Sequence, residues 1–123
     1  MVKPSHYDDD GYVIQWMRSW IPSNTMATLY GLAMDCVDRQ ILGEDVEIIL
    51  NTYDETNTRI RVDKIAAMIE TSGGHGLVGI VGVQSNQYPR ALDIARQFRE
   101  KNIQVCIGGF HVSGCLGMLP GIT

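Results

Sequence analysis

The sequence predicts an open, doubly wound α/β domain, and three observations carry that reading. Four short apolar runs, Tyr12–Met17, Val46–Leu50, Leu77–Val83 and Ile103–Ile107, are each closed by turn-forming residues. The runs are continuous rather than alternating and rich in Val and Ile, as in strands covered on both faces by helices. The gaps between them are too long for hairpins and carry helical periodicity, so the strands are expected to be parallel.

The first gap predicts a helix over Thr25–Leu42. Met26, Leu29, Tyr30, Ala33, Val37 and Ile41 fall on one stripe, Ser23, Asn24 and Thr25 supply an N-cap, and Gly43 the stop. The second helix, Val62–Thr71, places Ile65, Met68 and Ile69 on one face and ends at Ser72-Gly73-Gly74. The third, Pro89–Lys101, opens on a proline suited to a first turn. Its Ala91, Leu92, Ile94, Ala95 and Phe98 are expected to face inward, and Arg90, Arg96, Arg99 and Glu100 to face water. Ahead of the first run, residues 1–11 read as an exposed lead-in, with Asp8, Asp9 and Asp10 a solvated acidic run. Residues 12–123 form the domain. Past the fourth run the sequence is glycine-rich and carries no fifth strand, so a chain truncated ahead of further sequence is expected.

Composition narrows function. The 123 residues are 45% hydrophobic and 20% charged, which is globular rather than disordered. No apolar run approaches the roughly 20 residues that span a bilayer, and no signal peptide opens the chain. Ten Lys and Arg against fourteen Asp and Glu give a net charge of −4, the wrong balance for nucleic acid. Three widely spaced Cys make no disulfide framework and suit a reducing cytoplasm. Without C-x-x-C or comparable spacing, no metal site is signalled. Cys36 and Cys106 read as packing and core; Cys115 follows a glycine-rich loop.

In open parallel sheets ligands bind beyond the carboxyl ends of the strands, where strand order reverses. Three loops are expected there. Arg18–Thr25 leads into a helix N-terminus, so Ser23, Thr25 and Thr28 are either a cap or a hydroxyl-rich phosphate loop of flavodoxin type. Trp20 either covers the sheet end or lies against a flat ligand. Gln84-Ser85-Asn86-Gln87-Tyr88 is wholly polar after an apolar strand and suits hydrogen bonding, or simply starts the next helix. In Gly108-Gly109-Phe110-His111-Val112-Ser113-Gly114, two adjacent glycines leave room for a ligand or for another backbone. His111 stands beside that room; His6 and His75 lie elsewhere on the surface. A phosphoryl-accepting receiver is excluded, because its carboxylates are missing from Met17-Arg18-Ser19 and Val83-Gln84-Ser85.

With these loops in place, the stretch from Tyr12 to Pro120 resembles the cobalamin-binding domain that precedes the catalytic domain of cobalamin-dependent radical S-adenosylmethionine proteins. Val105-Cys106-Ile107-Gly108-Gly109-Phe110-His111-Val112-Ser113 is similar to that family's strand followed by Gly-Gly-x-His-x-Ser/Thr. Ser85-Asn86-Gln87 keeps the Ser of the family's Ser-x-Leu and departs at the Leu. Ile21-Pro22-Ser23-Asn24-Thr25, followed by Leu29-Tyr30-Gly31-Leu32-Ala33, is similar to its proline loop and helix start.

The resemblance implies strand order 2-1-3-4 with the fifth strand missing. It implies cobalamin held by Trp20, Ser23, Ser85, Gly108, Gly109 and His111, with no protein metal ligand, since the first loop lacks the Asp-x-His-x-x-Gly of the methionine synthase type. The cluster motif C-x-x-x-C-x-x-C is absent. S-adenosylmethionine and a 4Fe–4S cluster are therefore expected only in a downstream radical domain of the parent protein, and this chain alone is expected to be inactive. Two other readings stand beside it: a flavodoxin-like flavin or nucleotide domain, and a degenerate domain kept as an assembly surface. A bare fourth strand without Pro or charge is expected to be covered, either by the tail Leu116–Ile122 or, the favoured reading, by a second copy in a homodimer through that edge.

Overall fold

The computed structural model describes residues 1–16, 23–119 and 121. Strands β1 (Val2–Lys3), β2 (Tyr53–Asp54), β3 (Leu77–Ile80) and β4 (Gln104–Ile107) form one sheet. Its order is β2-β1-β3-β4 and every pairing is parallel. Helices α1 (Asn24–Asp38), α2 (Val62–Thr71), α3 (Tyr88–Glu100) and α4 (Phe110–Met118) alternate with the strands. This is the open α/β sheet that the periodicity predicts, in the order that the resemblance implies. No helix among the described residues is long and apolar enough to cross a membrane.

Two of the four strands are not where the apolar runs place them. The central strand β1 is Val2–Lys3, inside the stretch expected to be an exposed lead-in. Val2 is 1% exposed, and Pro4 and Ser5 are buried with it. The signal was short because Pro4 lacks an N–H and cannot continue a ladder. The run Tyr12–Met17 instead begins as the return arm of a small hairpin. Tyr7 and Val13 form an antiparallel bridge, and Tyr12 and Trp16 are 73% and 64% exposed. The acidic triplet makes its turn: Asp8 Oδ1 accepts from the backbone N–H groups of Asp10 and Tyr12, both at 2.9 Å. Likewise Val46–Leu50 is not a strand, and Val46 and Ile49 are exposed. The pairing falls to Tyr53–Asp54, where Tyr53 N–H donates to Met1 O and Glu55 N–H to Lys3 O, each at 2.9 Å.

The core lies on one face of the sheet. Val2, Val78, Ile80 and Val83 pack with Val62, Ile65 and Ala66 of α2 and with Ala91, Ile94 and Phe98 of α3. Each fully buried Val, Ile or Phe contributes ~1.5–3 kcal/mol relative to exposure. Alternate residues point to the opposite face. There Leu77 is 62% exposed and Cys106 is exposed, which corrects its expected place in the core. Neither α1 nor α4 buries a residue. Among the described residues, the strands are therefore covered well on one side only. β4 is an edge of the sheet, and its Val105 and Ile107 pack toward the core.

Candidate functional site

Parallel pairing carries the carboxyl ends of β3 and β4 out side by side. Beyond Ile80 and Ile107 the ladder continues, with Gly108 N–H donating to Ile80 O and Val83 N–H to Gly108 O, both at 3.0 Å. The two glycines that follow do different work. Gly109 adopts φ 139°, and a Cβ there would lie 2.3 Å from Val83 N and 2.6 Å from Val83 O. Its missing side chain lets the chain cross Val83 backbone, so Gly109 does not line open space. Gly108 does: a Cβ there would meet nothing within 4 Å.

The tight crossing starts α4 directly over the β3 loop. His111 N–H donates to Val83 O at 3.2 Å, and the imidazole is held at both ring nitrogens. Nδ1 lies 3.1 Å from Ser85 Oγ, and Nε2 lies 3.7 Å from Cys115 Sγ. The Tyr88 ring lies against the imidazole, with centroids 4.2 Å apart. Ser85, Gly108, Gly109 and His111 are thus brought together. Tyr88 and Cys115 join them; the i, i+4 spacing of His111 and Cys115 on a helix was the available signal.

Of the other predicted site residues, Ser23 stands apart. Trp20 lies outside the described residues. Ser23 is the N-cap of α1, its Oγ accepting from Met26 N–H at 3.1 Å. The same serine borders a cleft of about 370 Å³ that is also lined by Asp54. A carboxylate there opposes an anion, so the cap is the reading that the geometry favours over a phosphate loop.

Two further groups occupy the carboxyl edge nearer β1. Lys3 Nζ donates to Gly82 O and to Gln87 Oε1, both at 2.8 Å, and Gln87 Oε1 also accepts from Gln84 N–H. Burial pushes the Lys3 ammonium below its ordinary value, while Asp54 acts in the opposite direction. Beside it Glu55 is buried and accepts from Arg90 through both carboxylate oxygens, with Nη2 at 2.7 Å and Nε at 2.9 Å. Glu55 also accepts from Ser5 N–H. Hydrogen bonds to Glu55 hold the Arg90 guanidinium above its ordinary range. Arg90 Nη1 reaches Tyr7 Oη at 3.3 Å, and that hydroxyl donates to Asp93. Arg90 was expected to face water; its side chain is 16% exposed. Helical periodicity assigns it to the outer face, but the first turn of α3 lies over the strand ends, where the partner carboxylate stands. No family model, curated protein or solved structure matches the chain.

Proposed function

We propose that this chain is a cofactor-binding module that holds a corrinoid at the carboxyl ends of β3 and β4. One observation carries the reading. His111 and Ser85, drawn from the two most family-like loops, meet at 3.1 Å at the sheet edge where an open α/β fold receives ligands. The residues at this edge fit such a group: Gly108 opens on empty space, while Ser85 and Asn86 are exposed. The part assigned to Gly109 is different from the one expected, because it shapes the crossing and leaves Gly108 as the glycine a ligand meets. Ser85 supplies a hydroxyl to a polar group of the cofactor, and His111, anchored by Tyr88, fixes that hydroxyl in place. A bound corrinoid supplies cobalt-centred group-transfer chemistry. In the same reading the parent protein adds a downstream radical domain with S-adenosylmethionine and a 4Fe–4S cluster.

Titration with hydroxocobalamin, read by its visible spectrum after gel filtration, tests the module. We expect co-elution of the corrinoid with the chain. Gly108→Val is expected to weaken uptake ~10-fold or more with an unchanged melting temperature, since its side chain enters the ligand's space rather than the protein's. Uptake unaltered in Gly108→Val, or absent from the parent chain, overturns the reading.

A further inference from the structure

Cys115 extends the His111–Ser85 contact by a thiol that the cofactor reading does not use. The thiol lies 3.7 Å from His111 Nε2, and Nδ1 of the same ring lies 3.1 Å from Ser85 Oγ. A nucleophile, a base and a group that orients the base stand in that order. With Nδ1 carrying its proton toward Ser85 Oγ, Nε2 is left free to accept the thiol proton. The Tyr88 ring against the imidazole fixes the ring plane. Cys115 sits well inside α4, away from its N-terminus, so the helix offers the thiolate no help. The imidazole is the activating group. Access is open as well: Cys115 is half-buried, and a Cβ at Gly114 or Gly117 would meet nothing within 4 Å.

We propose that Cys115 is a reactive thiol activated by His111, and that it accepts a covalent modification from small disulfides by thiol–disulfide exchange. His111 Nε2 takes the thiol proton, and the Cys115 thiolate attacks one sulfur of the disulfide. A new S–S bond forms to Cys115 as the original S–S bond breaks, and the departing thiolate takes the proton back from Nε2. One protein thiol and one disulfide become one mixed disulfide and one small thiol. Because the modified sulfur touches His111, the adduct displaces the ring that positions Ser85, and the exchange reports on the ligand edge. The proposal does not rest on corrinoid binding and is measured on the chain without cofactor.

The test uses 4,4′-dithiodipyridine at pH 7, with the site of each adduct assigned by mass spectrometry. Exposure alone ranks Cys106, which is exposed, ahead of Cys115 and Cys36, which are half-buried. Activation by His111 reverses that order, so Cys115 is expected to react first, by ~10-fold. His111→Gln is expected to remove that advantage, and Ser85→Ala to reduce it severalfold without changing the melting temperature. Labelling of Cys106 ahead of Cys115 in the unaltered chain overturns the proposal whatever the variants do. An unchanged Cys115 rate in folded His111→Gln overturns it too.

Discussion

Beyond β1 and β2 the carboxyl edge of the sheet is closed by a buried ion pair, whereas beyond β3 and β4 it is lined by glycine, hydroxyl and imidazole groups that meet solvent. Glu55 and Arg90 satisfy one another at 2% and 16% side-chain exposure and tie the loops after β1 and β2 to the first turn of α3. Ser85 is exposed and Gly108 faces empty space. Charge is concentrated where the chain must be held, and small neutral groups stand where a ligand has room. A polar cluster at a strand end is therefore no guide to function by itself; whether its partners are already spent decides.

Removing one member of the closed half is the sharpest way to break this contrast. Arg90→Ala leaves the Glu55 carboxylate buried without its bidentate partner, so a loss of ~3–5 kcal/mol is expected, read by urea denaturation. Since Arg90 also contacts Tyr7, the N-terminal hairpin should loosen with it. A loss below ~1 kcal/mol means that Glu55 reaches water, and the contrast between the halves fails.

The glycine pair sharpens the comparison within the open half. Gly109→Ala forces a Cβ to within 2.3 Å of backbone at a positive φ, and ~2–3 kcal/mol of destabilisation is expected. Gly108→Ala meets nothing and should stay within ~0.5 kcal/mol of the parent. Melting curves of the two variants check this, and equal losses would remove the distinction between crossing glycine and ligand-facing glycine.

The fold was legible where hydrophobic runs were long. α2 lies where periodicity predicts it, α3 is displaced by one residue, and β3 and β4 fall within their predicted runs. It was illegible where strands shrink to two residues, because Val2–Lys3 and Tyr53–Asp54 are too short to show a period and longer apolar stretches nearby outcompete them. Of the candidate site, Ser85, Gly108, Gly109 and His111 could be read because glycine and histidine at a strand end carry chemical meaning. Lys3, Glu55 and Arg90 could not, since charged residues in apolar-poor segments ordinarily face water. Only the β2-β1-β3 pairing and the turn into α3 bring them together.

The smallest effect separates the rim of the closed half from its buried centre. Burial and then the hydrogen bond to Asp93 push the Tyr7 phenol above its ordinary value, with Arg90 acting in the opposite direction. In the unfolded chain Tyr7 ionises near pH ~10. Above that pH the unfolded state binds fewer protons than the native state, so stability falls as pH rises toward the native value. The contribution is complete below pH ~10 and lost above it. Lys3 acts oppositely, because its lowered native value makes stability rise as pH approaches the ordinary lysine value from below. That rise is common to the parent and to Tyr7→Phe and cancels in their difference. The stability difference between parent and Tyr7→Phe should thus be flat from pH 8 to about 10 and then decline. Its size stays under ~1 kcal/mol, because Tyr7 is partly solvated and screening weakens the interaction. Urea denaturation of both chains from pH 8 to 11 measures it. A difference that stays constant to pH 11 means that the Tyr7–Asp93 contact does not persist in solution, and the closed half then ends at Arg90.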